Sequence, residues 1–263
     1  MSARATKYLH VARISLTGRL VYFWDLAGRS VFFVLILLIF NQLWSATLPG
    51  SALNLTRNQL IWYLVVTEVI MLSTPGGRAL GIDDDIKSGN IAYIIGRPCN
   101  YPLFMLGRYW GDSLASVLVN LGIGSCTALV LVGPPKLTIV SLPAVAMVLV
   151  LAVTMKYFFT LLISLSAFWV EESGPFHWIY SKLLFTIGGL FVPLEFFPAW
   201  LKRLAHALPF NLMVYAPARL SVDWDFQIFV SVLGRQVLWL AGAALVAQFI
   251  FQQGVKKLNV HGG

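Results

Sequence analysis

Apolar residues in this chain come in long unbroken runs, separated by short polar or Pro/Gly-rich breaks rather than spread at strand or one-face helical spacing. The runs fall at about 29–48, 59–74, 103–132, 142–169, 179–194 and 230–252. They end at Pro49-Gly50, Thr74-Pro75-Gly76-Gly77, Gly133-Pro134-Pro135 and Glu171-Glu172-Ser173-Gly174-Pro175. A helix that crosses a bilayer needs roughly 20 residues, so the pattern predicts six transmembrane helices. Barrel strands would read as ~10-residue segments of alternating polarity, and none is present. Lipid offers the backbone no hydrogen-bond partner, so the spans must be helical. The expected fold is an all-α, polytopic membrane protein.

Two segments depart from that simple pattern. Residues 1–24 are basic and amphipathic: at 100° per residue Leu9, Ala12, Leu16, Leu20 and Phe23 share a face, with Arg13 and Arg19 at its edges. Leucines toward lipid and arginines snorkelling at the rim predict an N-terminal amphipathic interfacial helix, and the stretch is too long for a cleaved signal. Residues 195–222 are too apolar for an ordinary loop, yet Pro198, Pro209 and Pro217 divide them into pieces too short to cross. Two short re-entrant helices on the outer side, rich in interfacial Trp, Tyr and Phe, satisfy both facts. A proline-kinked seventh span would instead put the C-terminus outside, against Lys256 and Lys257.

Composition agrees with this picture and sharpens its orientation. The 263 residues are 58% hydrophobic and 11% charged, with a mean hydropathy of +0.78, as expected of one transmembrane domain over 1–263. A net charge of +8 on a soluble domain would suggest nucleic acid, but the bases sit at the ends of the apolar runs. With the N-terminus inside, twelve fall on inner segments and six on outer ones: Arg57, Lys136, Lys202, Arg203, Arg219 and Arg235. That bias predicts both termini in the cytosol and no nucleic-acid partner. Cys99 and Cys126 are expected in a cytosolic loop and inside a span, where they are poor disulfide partners, and no metal-ligand spacing occurs.

The polar stretch from Arg78 to Tyr101, RALGIDDDIKSGNIAYIIGRPCNY, carries the most distinctive chemistry. Asp83-Asp84-Asp85 are placed to cap and charge the N-terminus of a short helix, Lys87 suits its last turn, and Gly89 or Asn90 can supply a left-handed stop. Arg97-Pro98 then ends a second, extended piece. The alternative is a solvated loop with its acids outward. Inside the spans the ionisable residues are Glu68 and Lys156. A charge near the bilayer centre costs at least ~2.5–3.5 kcal/mol, so they either pair between the second and fourth spans or face a substrate path. Gly107-x-x-x-Gly111, Gly122 with Gly124, and Gly188-Gly189 permit close helix approach. With Pro193 following, Gly188-Gly189 is the expected flexible point of an outer gate. Asn41 and Gln42, near the outer end of the first span, either line the cavity or mark the water boundary.

Other chemistries lack their residues. The histidines, His10, His177, His206 and His261, are all expected in tails or loops, and no aspartate lies deep in a span, so an intramembrane hydrolase is excluded. One Glu, one Lys and no inverted repeat argue against an ion-coupled carrier. No GxxxxGK[ST] occurs, and Gly133-Pro134-Pro135-Lys136 lacks its glycine frame, so this chain is not an ATPase.

The acids followed by Lys87-x-Gly89-x-Ile91-Ala92-Tyr93 and then Arg97-Pro98 resemble the coupling region of ABC transporter type-2 permeases. Phe191-Val192-Pro193-Leu194, Phe197-Pro198-Ala199-Trp200-Leu201 and Leu208-Pro209-Phe210-Asn211 resemble that family's re-entrant region. The resemblance covers most of the chain. It implies the permease subunit of an ATP-driven exporter, paired with a second permease, identical or related, and with two copies of a separate ATPase that bind ATP and Mg. No cofactor is expected on this chain. The coupling region would be 75–101, with a docking helix centred on Asp83, Asp84, Asp85, Ile86 and Lys87, and with Gly89 and Arg97 beside it. ATPase closure would move spans one, two and five. The implied cargo is hydrophobic or amphipathic, a small molecule, lipid or lipid-linked glycan, moved out across a bacterial inner membrane. The alternatives are an ion-coupled secondary transporter and a non-transporting assembly subunit.

Overall fold

A computed structural model of the chain describes residues 3–48, 55–96, 99–135, 141–170 and 172–261. All regular structure among them is helical. In chain order the helices are α1 (Ala3–Val21), α2 (Phe23–Thr47), α3 (Arg57–Ser73), α4 (Gly77–Leu80), α5 (Ile82–Lys87), α6 (Asn90–Ile95), α7 (Tyr101–Val132), α8 (Leu142–Leu165), α9 (Gly174–Thr186), α10 (Ala199–Ala207), α11 (Phe210–Met213), α12 (Tyr215–Val222) and α13 (Phe226–His261). Four stretches are long and apolar enough to cross a membrane: Ser30–Thr47, Tyr101–Val132, Leu142–Phe168 and Phe226–Lys257. Two further expected spans coincide with α3 and α9, which have 17 and 13 residues and are shorter than those four.

Local signals start and stop the helices. Thr56 opens α3 with a capping box: its hydroxyl accepts from the Gln59 N–H, and Gln59 Oε1 accepts from the Thr56 N–H at 2.9 Å. Asn100 accepts from the Leu103 N–H at 3.1 Å to open α7, with Pro102 in the first turn where its missing N–H is not needed. The prolines of 195–222 act differently from one another. Pro198 and Pro209 stand directly before α10 and α11, but Pro217 lies inside the first turn of α12 and does not divide it. The segment therefore holds three short helices after a 3-10 turn at Leu194–Phe196, rather than two.

Helix α3 is buried along most of its length and is enclosed by α2, α7 and α12. Phe33 and Leu37 of α2 meet Ile61, Leu64 and Val65 of α3 in one apolar cluster. Gly124 of α7 lies against the Phe33 ring, whereas Gly122 faces open space. A second cluster joins α8, α9, α11, α12 and α13 through Val148, Tyr180, Leu184, Leu212, Leu220 and Phe229. Gln236 of α13 donates to the carbonyls of Val148 and Leu212 at 3.1 and 2.9 Å, tying α13 to both neighbours inside it.

The most extensive helix–helix contact is between α1 and α7. It is made at Gly107-x-x-x-Gly111. A Cβ at Gly107 would press on the Tyr8 carbonyl, and one at Gly111 would collide with the Ala12 carbonyl. Ser15 donates to Asp112 Oδ1 at 2.9 Å, and the Asn100 N–H donates to the Tyr8 hydroxyl at 3.1 Å. The flank used is Tyr8, Val11, Ala12 and Ser15, so Leu9 and Leu20 of the expected apolar face remain exposed.

Candidate functional site

The segment between α3 and α7 is bolted to the bundle rather than hung from it. Leu80, Ile82, Ile86 and Ile91 are buried against Tyr101, Met105, Tyr157, Leu161, Leu165, Phe168 and Ala247. Each such side chain contributes about 1.5–3 kcal/mol by leaving water. The stretch expected to be extended after Gly89 is instead α6: Ile91 and Ile94 are three residues apart, share a face and pack on this cluster. Gly81 and Gly89 bracket α5 with left-handed φ of +66° and +73°, a conformation that favours glycine. Gly81 occupies the N-cap, so no acid caps α5; the three acids lie in its first turn, where the helix dipole favours them.

Those acids point three ways. Asp85 accepts from Asn90 Nδ2 at 2.9 Å and from the Tyr101 hydroxyl at 3.0 Å, fastening α5 to α6 and α7. Asp83 is buried, close to Ser164 and His177, and burial pushes its carboxyl up against the opposing pull of Ser164, His177 and Lys87. Asp84 is exposed, as are Lys87 and Gly89. Arg97 lies outside the described residues. Behind Asp83, the Ser164 hydroxyl is 3.0 Å from His177 Nε2, and a Cβ on Gly77 would strike the His177 ring. This knot joins α4, α5, α8 and α9. Residues Ser164 and His177 escape a sequence reading because their meeting depends on long-range packing. The histidines expected in tails or loops lie in helices: His10 in α1, His177 in α9, His206 in α10 and His261 closing α13.

At the end of α3, Ser73 and Thr74 gather polar groups from three helices. Ser30 donates to Asn120 Oδ1 at 2.8 Å, and Asn120 Nδ2 donates to Ser73 at 3.1 Å. The Lys156 ammonium donates to Thr74 Oγ1 at 2.6 Å and to the Ile70 carbonyl at 3.3 Å. Glu68 and Lys156 are both buried, 2% and 5% exposed. They share the α3–α8 interior without a direct ion pair: Glu68 Oε1 has no hydrogen-bond partner, and the ammonium is spent on the C-terminal turn of α3, where a positive charge meets the helix dipole.

The opposite end of the bundle is built around the bend after α9. Gly189 has a φ of +72°. Three successive carbonyls there are held: Gly188 by the Tyr215 N–H at 3.1 Å, Gly189 by the Tyr63 hydroxyl, and Leu190 by Thr67 Oγ1 at 2.9 Å. Pro193 then leads into the 3-10 turn. Tyr63 and Thr67 are four apart on one face of α3, a polar pair in an apolar helix and a signal that could have found them. Glu195 accepts from Tyr215 at 2.7 Å and from Arg219 at 2.9 Å, and Arg219 also pairs with Asp223 at 2.6 Å. A cavity of about 490 Å³ opens beside this group, lined by His206, Asn211, Arg219 and Arg235.

Among curated proteins the sequence finds no match. The model of the ABC-2 family transporter protein matches residues 30–262, nearly the whole chain. That match, with the all-helical build and several membrane-length helices, places the chain in the ABC-2 transporter family as a multi-pass membrane permease.

Proposed function

We propose that this permease moves a hydrophobic or amphipathic substrate outward, driven by ATP hydrolysis on a partner chain that docks on α5. Family membership implies an ABC transporter complex with an ATPase partner. The observation that carries the reading is the two-sided build of α5. Ile82, Asp83 and Ile86 are buried in the bundle while Asp84, Lys87 and Ser88 are exposed. A push on the outer side of α5 passes through the apolar cluster to α7, α8 and α13, and through Asp83 and His177 to α9. Because α3 leads into α4, the same push reaches the Ser73–Thr74 polar junction.

In this proposal α2, α3, α7, α8, α9 and α13 are the six spans, with α9 completed by the bend through Pro193. The amphipathic α1 lies at the cytosolic interface, and α10–α12 re-enter from the outer side. Both termini are cytosolic, and the membrane is a bacterial inner membrane. A second permease and two ATPase copies complete the complex, with ATP and Mg held by the ATPases. Gly188, Gly189 and Pro193 form the outer gate, which moves with α3 and α12 because their donors grip its carbonyls. Lys156 holds α3 to α8 through Thr74 and the Ile70 carbonyl, and Glu68 is buried beside it without a direct pair.

The test is reconstitution with the partner ATPase identified by co-purification, reading ATP hydrolysis and ATP-dependent movement of a fluorescent amphipathic dye. Asp84→Arg with Lys87→Glu is expected to leave insertion intact and to reduce permease-stimulated hydrolysis and transport together. Unchanged stimulation in that double variant overturns the docking assignment.

A further inference from the structure

Where α1 leaves its crossing with α7, a cavity of about 410 Å³ opens between the last turns of α1, the α3–α4 turn and α7. Its lining includes Arg19 of α1 and Arg108 of α7, with the hydroxyls of Ser73, Thr74 and Ser116 and the ring of Tyr22. Among the described lining residues the one acid, Asp112, is engaged by Ser15. Those residues set two arginines against one aspartate, a net positive lining. Among the described residues neither guanidinium meets an acceptor or a carboxylate at hydrogen-bond or ion-pair distance.

We infer that this cavity binds the phosphate-bearing headgroup of an anionic membrane lipid. Guanidinium groups recognise phosphate by charge-assisted, often bidentate hydrogen bonds, and clustered hydroxyls satisfy the remaining oxygens. Basic pockets between helices at the cytosolic face suit such headgroups. A lipid rather than a soluble phosphate is favoured by what lies at the mouth. Tyr22 lines the cavity and is 65% exposed, and Val21 and Trp24 beside it are 79% and 84% exposed. These apolar side chains flank the α1–α2 break and offer acyl chains a surface. The bound headgroup bridges α1 to α7, adding a charge clamp to the Gly107–Gly111 crossing. The inference rests on the cytosolic placement of this end of the bundle, proposed above, and needs neither the ATPase nor transport.

The purified permease in neutral detergent, exposed to phosphatidylglycerol, phosphatidylcholine or millimolar inorganic phosphate, tests it by native mass spectrometry and thermal unfolding. One phosphatidylglycerol per chain should be retained by the wild type and by Arg203→Gln, a control on exposed α10. Retention should weaken about tenfold in Arg19→Gln and in Arg108→Gln, and vanish in the double variant. Arg108 is exposed, so its substitution keeps the test open if Arg19→Gln misfolds. Equal retention in Arg108→Gln, or equal retention of phosphatidylcholine, overturns the inference. Inorganic phosphate stabilising as strongly as the lipid overturns the lipid source.

Discussion

Tyr101, the first residue of α7, donates its hydroxyl hydrogen to Asp85 Oδ2 at 3.0 Å. Through this bond α7 holds the segment in which an ATPase contact is proposed. Asp85 is thereby a fastener, and the adjacent Asp84 is the acid left to face outward.

Tyr101→Phe keeps the ring stacked on Phe251 and removes the donor. A hydrogen bond to a charged group contributes about 1.5–3 kcal/mol, so α5 and α6 should open more often while the bundle stays folded. Hydrogen exchange across 82–95 should accelerate roughly tenfold, with little change in α8 or α13.

The glycines of α7 divide by position. Gly111→Ala places a methyl on the Ala12 carbonyl and should release α1, exposing residues 3–21 to protease. Gly122→Ala meets nothing within 4 Å and should be neutral or stabilising by up to about 1 kcal/mol through helix propensity. Equal protease sensitivity of the two variants would contradict the crossing.

Charge reversal separates a direct Glu68–Lys156 pair from the arrangement found. A carboxylate at 156 would face Thr74 and the Ile70 carbonyl, where Lys156 now donates. Glu68→Lys with Lys156→Glu should therefore fail to restore folding. Lys156→Met alone leaves Glu68 buried without its positive neighbour and should cost about 3 kcal/mol or more. Adding Glu68→Gln should recover much of that loss, as read by thermal unfolding in detergent.

Asp83 gives a pH dependence of defined sign. Burial holds its carboxyl above the ordinary value, so the folded state keeps the proton longer than the unfolded state. Its contribution is most favourable below the ordinary carboxylate pKa, and is lost as pH rises through the raised one. Wild type should lose stability relative to Asp83→Asn over that rising window. A melting-temperature difference that does not vary with pH would contradict this assignment.

The helical build was legible because long apolar runs leave a membrane chain few alternatives. Gly107-x-x-x-Gly111 announced a close crossing, but not that α1 makes it, since the partner is about a hundred residues away in the chain. The three acids read as one cluster, although Tyr101 and Asn90 engage Asp85, Ser164 and His177 flank Asp83, and Asp84 faces outward. Pro217 read as a break because sequence shows that its N–H is missing, not that the first turn of α12 leaves that donor unneeded. The polar junction at Ser73 and Thr74 stayed invisible for the same reason: single Ser, Thr and Asn residues gain meaning only when packing gathers them.

The most direct test of the central claim is photo-cross-linking from α5 in the intact complex. A benzophenone side chain replacing Asp84 should capture the nucleotide-hydrolysing partner. The same group replacing Trp200, exposed at the opposite end of the bundle, should not. Capture from position 200, or none from position 84 while the ATPase remains bound, would contradict the account.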